Sequence, residues 1–161
     1  MLAPRFPDVR LWVYEADLAE RMRETRENDL FLPGFRLPSN VNVVNDLCPA
    51  VEGADVVLSV TPSHFTREIY SRMLPFLPPG ALFVSATKGI ESGTLLRISE
   101  VIREVVSARF EPRVCVLSGP TFAREVAAGE PTALVVASHD DALNHAVQAA
   151  FSGPTFRVYR N

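Results

Sequence analysis

A chain of 161 residues is about the size of one domain, and 47% apolar with 22% charged residues is a globular composition, not a disordered one. A net charge of −3 gives no basic field for a nucleic-acid backbone, and no apolar run approaches the ~18 residues of a membrane span. Two cysteines, Cys48 and Cys115, make neither a disulfide framework nor a CxxC site, which fits a reducing, cytoplasmic setting.

In chain order, Val9–Tyr14 is a strand candidate rich in β-branched and aromatic residues. Asp17–Asn28 is predicted helical, with arginines and acids that compensate one another. Leu32-Pro33-Gly34 and Leu37-Pro38-Ser39-Asn40 are loop signals. A short strand over Val41–Val44 and a short helix over Leu47–Gly53 follow. Asp55–Val60 is almost continuously apolar, the pattern of a strand covered on both faces. Ser63 is placed to cap a helix reaching Leu77, with Phe65, Ile69, Met73 and Leu77 on one face. Then come a strand over Ala81–Ala86, a helix over Thr94–Val106 that counts Leu95 on its apolar side, and a strand over Val114–Leu117. A short helix over Phe122–Ala128, a strand over Thr132–Ala137, a helix over Asp140–Phe151 and a strand over Thr155–Tyr159 complete the pattern. Repeated strand–helix units with apolar strands predict an α/β domain with a largely parallel sheet flanked by helices.

Ligands in such sheets sit at the carboxyl ends of strands. Four polar clusters fall there: Tyr14-Glu15, Thr61–Phe65, Thr87-Lys88-Gly89 and Ser118-Gly119-Pro120-Thr121. Lys88 is the only lysine among sixteen basic residues, and a compact cation at a strand end can hold a phosphate or polarise a carbonyl. A solvated surface lysine would look the same. Glu15 can accept hydrogen bonds from ribose hydroxyls and repel a 2′-phosphate, or simply load the next helix N-terminus with negative charge. Gly119 would let backbone approach a ligand, and Thr121 would supply a cap and a hydroxyl, although an ordinary capped turn shares both features. Ser118 lacks the G-x-S-x-G surroundings of a nucleophile. His64, His139 and His145 have no metal-ligand spacing with the cysteines, so no metal is expected. The eight glycines include no G-x-G, so neither a dinucleotide fingerprint nor a P-loop is present.

Several segments in order carry a more specific signal. They are Leu32-Pro33-Gly34, Leu37-Pro38-Ser39-Asn40-Val41, Ala86-Thr87-Lys88-Gly89-Ile90-Glu91, Ile98–Ile102, Leu117–Gly129 and Ser152–Tyr159. Together they resemble the N-terminal domain of NAD(P)-dependent sn-glycerol-3-phosphate dehydrogenases, from about Val9 to the end of the chain. The resemblance implies a Rossmann-like fold and hydride transfer between sn-glycerol 3-phosphate and a nicotinamide cofactor, giving dihydroxyacetone phosphate. It implies that Lys88 contacts substrate beside the cofactor, that Gly119 and Thr121 contact substrate, and that Ala123 contacts the cofactor. Tyr14 and Phe65 match aromatic positions that pack on the dinucleotide. Glu15 implies NAD, with NADP less favoured.

By the same resemblance, residues 1–161 form a single partial dinucleotide-binding domain. The family's first strand and glycine loop would precede Val9, with Met1–Asp8 matching only the end of the first helix. The helical substrate domain with the base lysine would follow Asn161, so no catalytic residue is expected within the chain and its isolated activity is expected to be negligible. The absent strand would fall between Val9–Tyr14 and Asp55–Val60. Two inner strand edges would then either close on each other or be filled by another chain, opening a route to homo-oligomers. A rival expectation is a non-catalytic module of the same fold that binds a phosphometabolite or pairs with another subunit.

Overall fold

The computed structural model describes residues 2–161. Its main sheet has five strands in the order β5-β6-β7-β8-β9: β5 (Val56–Ser59), β6 (Leu82–Ser85), β7 (Arg113–Ser118), β8 (Thr132–Ala137) and β9 (Phe156–Arg160). All neighbours are parallel except β7 and β8. A separate parallel pair joins β1 (Val9–Trp12) to β4 (Val41–Val44) in the register Val9↔Val41 to Trp12↔Val44.

Alternation along β6 explains the three layers. Phe83 points to one face, into a cluster with Tyr70 and Met73 of α3 (Thr66–Met73) and Ile98 and Ile102 of α4 (Ile98–Val106). Leu82 and Val84 point to the other, against Leu143, Val147 and Phe151 of α6 (Asp141–Phe151). A continuous apolar run therefore marks a strand covered on both sides, since each parity of residue needs its own helical lid. A third cluster sits under α1 (Ala16–Thr25), where Leu18, Ala19 and Met22 pack on Val13 and Val43. The short helix α2 (Leu47–Val51), capped by the Asp46 carboxylate, contributes Leu47 and Val51 to the α3–α4 cluster.

Several boundaries differ from those predicted. The helix after β1 stops at Thr25, with Arg26 left-handed (φ 60°). Glu27–Asn28 (β2) then pairs antiparallel with Leu32–Arg36 (β3), so the Leu-Pro-Gly segment lies in a strand. Pro33 is tolerated because this ribbon has only two strands, and Gly34 (φ 90°) donates its N–H to the Glu27 carboxylate at 2.7 Å. Ser63–Phe65 forms a 3-10 turn with no side-chain cap, so Ser63 does not start the helix. The buried residues of α3 are Thr66, Tyr70 and Met73, which leaves Phe65 47% exposed. Residues 91–97 form a loop and not the first turn of α4: Gly93 and Leu95 take positive φ, and Leu95 is 71% exposed. The Arg97 N–H, bonded to the Glu100 carboxylate at 2.8 Å, marks where the helix begins. Ala3–Arg5 form a turn, tied by the Phe6 N–H to the Leu2 carbonyl at 3.2 Å; Met1 lies outside the described residues.

No ladder joins β1 to β5 among the described residues. The two strands do not close on each other, contrary to one of the expected outcomes. A cavity of about 520 Å³ separates them, walled by residues of both strands.

Because β6 joins the two larger cores, substitutions in it and in the α4 helix packed on it test the layering. Phe83→Ala should cost about 3–5 kcal/mol in urea unfolding, and Ile102→Val about 0.5–1.5 kcal/mol. Equal and small losses would contradict the packing described.

Candidate functional site

The carboxyl ends of β5, β6 and β7 are fastened together by short bonds. The Ala86 N–H donates to the Ser59 carbonyl at 2.9 Å, and the Thr87 hydroxyl reaches the same oxygen at 3.4 Å. Beneath them, the buried Tyr70 hydroxyl donates to Ser59 Oγ at 3.2 Å, and burial pushes the phenol up to about 12. Tyr70 is thus a neutral strut near pH 7.

Lys88 follows β6 and is exposed, and its ammonium donates to the Gly119 carbonyl at 3.4 Å. Gly89 turns with φ 97°, and a Cβ there would come within 3.3 Å of Ser63 Oγ. The glycine is needed for its backbone and for a close approach to the β5–α3 turn.

Gly119 has a packing reason to be small, beside the ligand approach expected from the sequence. A Cβ on it would lie 2.7 Å from the Ala133 carbonyl and 3.0 Å from Leu134 Cα, both in β8. Its missing side chain makes room for the neighbouring strand, and its carbonyl is what faces Lys88. Thr121 departs from expectation. Its hydroxyl lies 3.5 Å from the Gly119 carbonyl, while the N-cap of α5 (Ala123–Ala128) is Phe122 with no side-chain cap. Thr121 therefore braces the turn. Ala123 opens α5 and is exposed.

Tyr14 and Glu15 lie across the cavity, at the end of β1. Glu15 is half-buried and occupies the N-cap of α1 without a side-chain cap bond; Tyr14 is 70% exposed and meets Trp12 edge-on at 6.1 Å. Their backbone is held by Asn45, whose amide donates to the carbonyls of Val13 at 2.7 Å and Tyr14 at 3.0 Å. Trp12 Nε1 donates in return to the Asn45 carbonyl at 3.1 Å. Phe65 stacks obliquely on His64 with centroids 4.1 Å apart. The structure thus joins Lys88, Gly119 and Thr121 directly, brings the Phe65 turn close through Ser63 and Gly89, and leaves Tyr14-Glu15 on a separate wall.

Residues that the sequence did not flag do much of the positioning. Asn45 is one; its signal was an amide immediately after a strand, at the same edge as the other clusters. Arg67 is another. It grips Glu91 with two bonds of 2.8 and 2.9 Å and Glu104 with a third of 3.0 Å, while the Thr94 hydroxyl donates to Glu91 at 2.5 Å. This node pins the loop after Lys88 onto α3. The Arg67 guanidinium, helped by Thr94, holds the Glu91 carboxyl down at about 2. The β2–β3 ribbon also reaches α5, where the Arg124 guanidinium sits 5.9 Å from the Phe35 ring. A larger cavity of about 800 Å³, bounded by Arg5, Phe6, Val126 and Pro154, contains none of the predicted site residues. Among the described residues no cluster of three His, Cys, Asp or Glu side chains could hold a metal, and no helix is long and apolar enough to cross a membrane.

An α/β sheet with its polar residues gathered at the carboxyl ends of parallel strands belongs to the nucleotide-binding class of folds. Residues 1–144 match the family described as NAD-dependent glycerol-3-phosphate dehydrogenase N-terminus, and the chain belongs to that family. A glycerol-3-phosphate dehydrogenase [NAD(P)+] of Koribacter versatilis is 52% identical over 153 residues, covering 95% of this chain and 45% of the relative. One from Geobacter sp. (strain M21) is 46% identical over 161 residues, covering 100% and 48%. The crystal structure of glycerol-3-phosphate dehydrogenase from Coxiella burnetii superposes with a TM-score of 0.91 at 32% identity, over 99% of this chain and 48% of that one. The chain spans about half the length of these relatives.

The Arg67–Glu91 node gives a pH signature. Glu91 is held near 2 when folded, against an ordinary value of 4.5, so its contribution to stability is complete above about pH 4.5 and fades as pH falls toward 2. Glu91→Gln should lower stability near neutrality and flatten that part of the acid limb, with Glu100, also held near 2 by Arg97, keeping the remainder. Thermal melts between pH 7 and 2.5 test this; parallel curves for both proteins would contradict it.

Proposed function

We propose that residues 1–161 form one dinucleotide-binding domain of a glycerol-3-phosphate dehydrogenase, serving hydride transfer between sn-glycerol 3-phosphate and NAD(P) to give dihydroxyacetone phosphate. The observation that carries this reading is the Lys88 ammonium, standing past the carboxyl end of β6 and 3.4 Å from the Gly119 carbonyl, in a chain of this family. Family membership favours this reading over a non-catalytic module.

The residues fit the adenosine end and the rings of a dinucleotide. Glu15 follows β1 at the N-cap of α1, where an acceptor for ribose hydroxyls belongs, and its charge disfavours a 2′-phosphate, so NAD is preferred over NADP. Tyr14, Val60 and Phe65 present 70%, 67% and 47% exposed apolar surface at the same edge, suited to flat rings. Ala123, exposed at the start of α5, is the further cofactor contact in this reading. When bound, the nicotinamide supplies or receives the hydride.

The chain's own part is orientation and charge. Lys88 binds the C2 oxygen of the substrate and favours the negative charge developing on that oxygen. Thr121 and the Gly119 turn set the distance of that ammonium and line the substrate side. The proton acceptor is proposed to be a lysine outside these 161 residues. A cytoplasmic location and association through open strand edges belong to the same proposal.

NADH titration by fluorescence and NMR tests the assignment. The chain alone should bind NADH more weakly than about 100 μM, prefer it to NADPH, and show no turnover of dihydroxyacetone phosphate. Glu15→Ala should narrow the preference, and Lys88→Met should abolish dihydroxyacetone phosphate shifts at Gly89 and Gly119 while leaving those from NADH. NADPH preferred by the unaltered chain, or phosphate-ester shifts that survive Lys88→Met, would refute it.

A further inference from the structure

Lys88 stands on a short span between two fastenings. On the sheet side, Ala86 and Thr87 bond to the Ser59 carbonyl. On the far side, Glu91 is gripped by Arg67 of α3. Three residues from Lys88 to Glu91 extend at most about 10 Å, so the two fastenings together fix where the lysine side chain leaves the backbone. Bonds within the loop run from the Glu91 N–H to the Leu96 carbonyl at 2.9 Å and from the Leu95 N–H to the Glu91 carbonyl at 3.0 Å. They shape the loop but do not attach it to α3. Arg67 does that.

The contact is built for orientation. Arg67 Nε donates to Glu91 Oε1 and a terminal guanidinium nitrogen donates to Oε2, which also accepts from the Thr94 hydroxyl. With both oxygens taken, the carboxylate has one orientation. The Glu91 side chain is 11% exposed, so the pair is screened less than an ion pair in open solvent. A planar fork fixes distance and angle together, whereas a lysine ammonium at position 67 would act as a point charge. Occupying both oxygens has a second effect. Among the described residues Lys88 has no carboxylate partner, although Glu91 is the acid nearest to it in sequence. Released from Arg67, that carboxylate would be free to pair with the ammonium and mask it.

We propose that Arg67 is a positioning residue for Lys88: it fixes the Lys88 loop on α3 and holds the Glu91 carboxylate away from the ammonium. What the ammonium binds rests on the proposed dehydrogenase reading, whereas the positioning rests on the node alone. The Tyr14-Glu15 wall is fastened separately, by Asn45, so the effect of Arg67 falls on the Lys88 side of the site. The third bond of the guanidinium, to Glu104 of α4 at 3.0 Å, braces the two helices and leaves the loop untouched, which separates a structural role from a positioning one.

The chain has a single lysine, so isotope-labelled lysine reports on Lys88 alone in NMR. Nuclear Overhauser contacts from its ε-methylene group to the Gly119 turn should be present in the 161-residue chain and lost in Arg67→Met, whether the side chain swings free or pairs with Glu91. Dihydroxyacetone phosphate affinity, read from shifts at Gly89 and Gly119, should fall by about tenfold or more in that variant. NADH affinity, read at Tyr14 and Glu15, should stay within about twofold. Arg67→Lys, which keeps the charge without the fork, should fall between the two, and it carries the comparison if Arg67→Met does not fold. Glu104→Gln should leave both the contacts and the affinities unchanged. Contacts to Gly119 that persist in full in the Arg67 variants, an equal loss in Glu104→Gln, or NADH affinity falling in step overturns the proposal. Dihydroxyacetone phosphate shifts that are absent, or that survive Lys88→Met, would fault the substrate reading instead, and the Lys88 contacts would still decide the role of Arg67.

Discussion

Four consecutive buried residues, Leu82–Ser85, carry the geometry on which the rest depends. A strand with no exposed side chain needs a helical layer on each face, and it forces β5 and β7 into the register Val57↔Phe83↔Val114. Once that register is set, the chain leaves all three strands at one edge. Lys88, three residues past β6, then has no place to go except beside the turns that follow β5 and β7. The bonds from Ala86 and Thr87 to Ser59 and from Lys88 to Gly119 close that edge laterally. The position of the one lysine is a result of core packing several residues upstream.

Much of this was readable from residues alone, because burial on both faces leaves a simple mark. Runs such as Asp55–Val60 and Ala81–Ala86 contain almost no polar residue, and their strands fell within a residue or two of prediction. What was not readable was decided by partners distant in sequence. Leu32-Pro33-Gly34 has turn chemistry, yet it pairs with Glu27–Asn28 because the Glu27 carboxylate satisfies the Gly34 amide. Thr94–Leu96 fits a helical pattern, yet Arg67 draws Glu91 and Thr94 into a loop and delays the helix to Ile98. The site divides in the same way. Lys88 and Glu15 stood out as charged residues close to strand ends, whereas Asn45 and Arg67 act through contacts 24–37 residues away that no local spacing announces.

The two walls of the site are built with different economies. The Lys88 wall hangs from a five-stranded sheet with two cores. The Tyr14-Glu15 wall hangs from two strands, one helix and the Asn45 bridge. The β2–β3 ribbon spans the separation by bringing Phe35 under Arg124. A ligand that touched both walls would therefore bridge a rigid body and a lighter one, and part of its binding energy would go into fixing their spacing.

Gly119 illustrates how mutational data at such a site can mislead. Any side chain there would collide with the backbone of β8, whose antiparallel ladder with β7 begins one residue earlier at Ser118↔Val135. Replacing it would shift a strand, the Lys88 acceptor and the Thr121 brace together. A scan that scored position 119 by lost activity would record a sensitive residue at the pocket and invite a ligand-contact label. Part of that sensitivity would be architectural, and only a folding measurement made alongside the assay would separate it from a lost ligand contact.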